Sequence, residues 1–204
     1  MKEYIKMSLN KDQKEYYLFG KIPIFILNKL PSDININQVI QILEGYIPLF
    51  MFGGIDGIYV GEFAELKDRN IQALFKDGAI YLSSFKDVEG VSEELIARDI
   101  THELAHSVEE RFTNEIYSDD RIENEYNGKK QKLFSLLTHE GYHFAKEILF
   151  DGKLVNFLDD LLYKEIGYDK LSLIIPGLFL SPYSITSIRE YFEWVRRIFI
   201  RRTK

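Results

Sequence analysis

His102-Glu103-Leu104-Ala105-His106 lies near the middle of the chain, and its reading sets the expectation for everything around it. Residues four apart on a helix share a face, so His102 and His106 project their imidazoles the same way. Two imidazoles on one face can hold a metal ion. Glu103, one residue along, is placed to reach a water on that ion and take its proton. The pattern points to a metal-dependent hydrolase, with a peptidase as the first reading. A second match follows at His139-Glu140-Gly141-Tyr142-His143, and the two together use all four histidines.

Three features favour the first match. It follows an Asp77-Gly78 hairpin signal and the apolar run Ala79 to Ser84. That run reads as an edge strand, which can take an extended protein or peptide substrate as an added strand. Leu104 and Ala105 suit a helix packed on a sheet. Gly141 interrupts the second match, and glycine costs about 1 kcal/mol in a helix interior. His139 and His143 read as ordinary polar positions, with a two-metal hydrolase as the rival.

Length and composition bound the rest. The 204 residues predict a single domain, 1–112 forming a sheet plus the motif helix and 113–204 a helical subdomain. A hydrophobic share of 46% is ample for a core. The net charge of −6 argues against nucleic acid as a partner. A basic cluster at Arg196, Arg197, Arg201, Arg202 and Lys204 reads as a solvated helix end. There is no cysteine, which removes disulfides, thiol catalysis and thiolate zinc sites. No apolar run is long enough for a membrane span, and the first residues lack the apolar core of a secretory signal. These readings predict a cytoplasmic protein. Abundant Ile, Lys, Asn and Tyr hint at the AT-rich genome of a low-GC bacterium or its phage.

Patterning predicts an α+β fold. Strands are expected at 22–27, 57–63, 71–75 and 79–84, and helices at 36–47 and from Ser92 to Phe112. The polar stretch 113–130 reads as a loop. Helices follow at about 131–149, 154–166, 169–175 and 184–202. Tyr163, Tyr168, Phe179 and Phe192 are expected in the core. The acidic pairs Asp119-Asp120 and Asp159-Asp160 read as solvated rather than as calcium ligands.

Zinc in a hydrolytic site takes three protein ligands and leaves a position for water. A third histidine six residues beyond His106 is absent, because Phe112 stands there. The third ligand is then a carboxylate or a histidine of the second match.

The run Ser181-Pro182-Tyr183-Ser184-Ile185-Thr186-Ser187-Ile188-Arg189-Glu190-Tyr191-Phe192 bears on that choice. With the motif helix it resembles a gluzincin-like group of zinc metallopeptidases. That group includes the catalytic domain of anthrax lethal factor, the clostridial Pro-Pro endopeptidases and small predicted metallopeptidases of tailed phages. In it a tyrosine precedes the metal-binding glutamate by seven positions, as Tyr183 precedes Glu190. The resemblance implies a zincin-like fold, one Zn2+ on His102, His106 and Glu190, and Glu103 as general base. It implies Tyr183 as a phenol that donates to the oxyanion. In zincins the active-site helix follows the edge strand of the sheet. The interval from His106 to Glu190 is longer than the group's, so a helical insertion is expected. Glu109, with Glu110 as rival, stands where the group carries an aspartate that orients an imidazole, and Trp194 replaces a second acidic residue. A zincin-like scaffold that has lost turnover, serving as a phage structural or host-interaction protein, is the alternative of another class.

Overall fold

The computed structural model describes residues 14–85, 88 and 90–192. The chain divides into two compact units, Met1–Arg111 and Phe112–Lys204. The class is α+β.

The first unit carries one five-stranded sheet. Its strands are β1 (Lys14–Leu18), β2 (Ile22–Ile26), β3 (Gly57–Val60), β4 (Ala73–Lys76) and β5 (Ala79–Leu82). They lie in the order β1-β2-β3-β5-β4. β2, β3 and β5 are parallel, and β1 and β4 pair antiparallel at the two edges. The Asp77-Gly78 turn is as expected: both residues have positive φ, 52° and 72°, which a two-residue hairpin of this twist requires. The strand placed at the edge by the sequence is not there. β5 is hydrogen-bonded on both sides, to β3 and to β4, so the edge is β4. The physical reason is the hairpin itself. It turns back into the sheet, so its second strand lies inside and its first outside. β1 was not foreseen, because KEYYL alternates too weakly to stand out from the polar residues before it.

Alternation sorts the strand residues into two faces. Ile24, Ile58, Val60, Ile80 and Leu82 form one face, which packs on α1 (Ile36–Tyr46) and on the motif helix. Phe25, Tyr59 and Tyr81 form the other and stack across three strands, with centroids 5.1 Å and 5.5 Å apart. Leu66 of the short α2 (Ala64–Asp68) covers them. α1 begins at Asn35, whose side chain accepts from the Asn37 N–H.

The motif helix, α3, spans Glu93–Arg111. Ser92 Oγ accepts from the Leu95 N–H at 3.2 Å and starts it. Glu93 accepts from the Asn35 N–H at 2.9 Å, and this bond holds its carboxyl below the usual range. Ile96, Ala97, Ile100 and Leu104 recur at helical spacing and are buried in the sheet core. Burying each large one stabilises by about 1.5–3 kcal/mol.

The second unit is helical. It contains α4 (Thr113–Tyr117), α5 (Arg121–His139), α6 (Glu147–Phe150), α7 (Val155–Asp159) running into a π-helical segment Asp160–Ile166, and α8 (Tyr168–Ile174). A last helix, α9, begins at 188 and is described to 192. The stretch 113–130, expected as a loop, is therefore mostly helix. Its Glu, Lys and Arg residues are good helix formers, and only Tyr126 marked the buried face in its first half. Tyr126, Lys130, Leu133 and Leu137 line that face against Leu149, Leu162, Leu171 and Ile185. The expected helix 131–149 is broken at 140, and α9 starts later than expected. Tyr168 is half-buried, and Phe179 and Phe192 are buried as expected. Tyr163 is 68% exposed instead, because the π-helical segment turns it outward. Trp194 and the C-terminal basic cluster lie outside the described residues. No helix among the described residues is long and apolar enough to cross a membrane.

Among the described residues of this unit Lys130 is the buried charge, at 7% exposure, with its ammonium 4.4 Å from the centre of the Tyr126 ring. Burial lowers it from 10.5 to about 8. The ring contact favours the charged form and offsets part of this. Between those pH values the unfolded chain holds the proton and the folded chain does not, so stability rises with pH across that window. Above pH 10 the buried phenols of Tyr126 and Tyr191, both pushed up, act in the opposite sense. Urea unfolding at pH 8.0 and 9.5 should show wild type gaining stability relative to Lys130→Met. Parallel curves for the two proteins would mean that Lys130 reaches water.

Candidate functional site

α3 presents the two motif histidines on the side away from the sheet. Its core positions Ile96, Ala97, Ile100 and Leu104 and its histidines occupy opposite faces of one cylinder, so packing the first aims the second. His102 and His106 are half-buried, with ring centroids 4.8 Å apart and planes at 83°. Both belong to the pair foreseen from the sequence. Glu103 lies on the flank between core and histidine faces and is buried at 6% exposure. Its Oε2 accepts the Phe75 N–H of β4 at 2.6 Å, a short bond of the charge-assisted kind. Glu109, three residues beyond His106, is buried, and Glu110 is exposed.

The second match does not form a helical pair. His139 is the last residue of α5. Gly141 then takes φ +92°, a conformation that L side chains rarely adopt. The Tyr142 N–H donates to Leu137 O at 2.9 Å and the Gly141 N–H to Thr138 O at 3.1 Å, which together close the helix as a Schellman motif. His143 lies beyond that stop, and both histidines are exposed. The glycine that weakened this match in the sequence is the residue that ends the helix.

In the second unit, Tyr183 opens a 3-10 turn, Tyr183–Ile185, and is 47% exposed. Ser187 precedes α9, and its Oγ accepts from the Glu190 N–H at 3.1 Å. Glu190 is therefore the third residue of the helix, a position where the helix dipole favours a carboxylate. The next residue, Tyr191, donates its hydroxyl to Glu125 of α5 at 2.6 Å. That bond lowers the Glu125 carboxyl and, with burial, raises the Tyr191 phenol. The Tyr126 hydroxyl donates to Ile185 O at 2.7 Å, so α5 holds both the turn and the start of α9. Sequence reading missed this support, because α5 was read in part as a loop. The acidic pairs read as solvated have cations beside them: Lys164 meets Asp160 at 2.7 Å and Arg121 meets Asp119 at 3.1 Å.

A hollow of about 590 Å³ lies at the carboxyl ends of β3 and β5, beside Gly61, Lys67 and Ser84. It contains none of the motif residues. Comparison with family models, curated proteins and solved structures found no match for this chain.

Replacing both His139 and His143 with alanine should leave the affinity for zinc unchanged by calorimetry, whereas His102→Ala should lower it at least a hundredfold. Loss of binding in the double variant would transfer the metal to the second match.

Proposed function

We propose that this chain is a single-zinc endopeptidase of zincin-like fold, with His102, His106 and Glu190 as ligands and Glu103 as general base. The observation that carries it is the donor set. His102 and His106 share one face of α3 with ring centroids 4.8 Å apart, Glu103 is buried beside them, and Glu190 enters as the carboxylate that the resemblance implies. Two imidazoles and a carboxylate are a known hydrolytic zinc set, with a fourth position left for water. The resemblance of the motif helix and the Tyr183–Glu190 run to gluzincin-like peptidases supports the same roles.

Bound zinc would supply a water that ionises near neutral pH and a Lewis acid for the scissile carbonyl. The chain's own residues do the rest. Glu103 takes a proton at its carboxylate and returns it to the leaving amine. Its burial on the flank of α3 removes competing water. The Tyr183 hydroxyl donates to the oxygen that gains negative charge. An extended peptide would pair with the edge strand β4, rather than with Ala79 to Ser84, since β5 has no free edge.

Three variants test these roles. Glu190→Ala should release zinc, measured as metal per chain after dialysis. Glu103→Gln should keep zinc and the fold and lose turnover on a peptide library by several orders of magnitude. Undiminished cleavage by Glu103→Gln would contradict the mechanism. Tyr183→Phe should cut kcat about a hundredfold and change KM little, since one oxyanion donor contributes about 3–4 kcal/mol. A Tyr183→Phe protein that is less stable but equally active per folded molecule would make the tyrosine a packing residue only.

A further inference from the structure

The Phe75 N–H that Glu103 holds points away from β5, toward the open edge of the sheet. In an antiparallel pair, main-chain groups alternate between facing the partner and facing away. The Ser83 N–H donates to Gln72 O at 2.8 Å, just before β4, and the register pairs Leu74 with Tyr81 and Lys76 with Ala79. Gln72, Leu74 and Lys76 therefore turn their main-chain groups to β5. Ala73 and Phe75 turn theirs to the edge. The donor that Glu103 holds is thus an outward-facing edge N–H, one that an added strand would need.

We propose that Glu103 is a tethered plug of the β4 edge, and that an extended peptide must displace its carboxylate from the Phe75 N–H in order to bind. The incoming peptide carbonyl takes the place of Glu103 Oε2, and the carboxylate is freed as the peptide docks. This deepens the peptidase reading and rests on it for the role of Glu103 as base. It couples docking to release of the base, so the carboxylate is held on the main chain while the edge is empty. The bond is short and charge-assisted, and breaking it lowers the affinity of wild type for any strand. A carboxylate on an outward N–H also guards the edge against chance pairing, but that role alone demands no exchange with a ligand.

The full chain is compared as wild type, Glu103→Ala and Glu103→Gln, each with and without added zinc. The probe is an acetylated, amidated octapeptide of alternating valine and threonine. Amide hydrogen exchange by NMR should show Phe75 protected in wild type and exchanging at least tenfold faster in Glu103→Ala. The Leu74 and Lys76 amides, which face β5, should keep their protection and so report that the strand is intact. The octapeptide should bind Glu103→Ala about tenfold more tightly than wild type, with Glu103→Gln between them, since its amide oxygen remains a neutral acceptor. If Glu103→Ala loses the fold, Glu103→Gln carries the comparison alone. Equal Phe75 exchange in all three proteins, equal peptide affinity, or no peptide binding by any of them overturns the plug. Both effects in a protein that retains no zinc would leave the plug standing and sink the peptidase reading, so the two failures are distinguishable.

Discussion

The packing of one face of α3 against the sheet is the constraint on which the first unit depends. Ile96, Ala97, Ile100 and Leu104 are buried in one core with Ile58, Val60, Ile80 and Leu82 of the sheet and Val39, Ile40 and Leu43 of α1. A helix has one rotation about its axis. Once the apolar stripe is seated, the direction of every other residue follows, and His102 and His106 are turned away from the sheet. Glu93, bonded to the Asn35 N–H, ties the start of this helix to the start of α1 and limits its sliding.

Glu103 shows how the same constraint places a charge. At its angle on the helix it belongs neither to the core nor to the histidine face, and an ionised carboxylate buried there needs a donor. The edge of the sheet offers one in Phe75. A strand inside the sheet would have spent that N–H on its neighbour. The position of β4 at the edge therefore satisfies a buried charge and leaves it within reach of the histidine side.

The second unit solves a different problem. Apart from α5 its described helices are short, and one segment is π-helical, so its order comes from a shared core around Leu133, Leu137, Leu162 and Leu171 rather than from helix propensity. The long α5 organises it. Tyr126 and Glu125 fix the turn at Ile185 and the first residues of α9 through two hydrogen bonds. The start of α9, where Glu190 stands, is thereby held by a buried phenol and a carboxylate as well as by its own Ser187 cap.

The sequence alone determined those features that depend on short-range periodicity and on local stops. The i, i+4 histidine pair, the amphipathic face of α3 and the Asp77-Gly78 turn were all legible, because each rests on the geometry of a few consecutive residues, whereas Gly141 was read as a weak point of the second match and not as the end of its helix. Tertiary structure decided the rest. Which strand of the hairpin lies at the edge depends on the partner that β5 finds in β3, far away in sequence. The helix over 121–130 was hidden because its buried face there uses Tyr126 and Lys130, and a lysine signals burial only after the rings around it are in place. The Glu103–Phe75 bond joins residues 28 apart and could be read from neither alone.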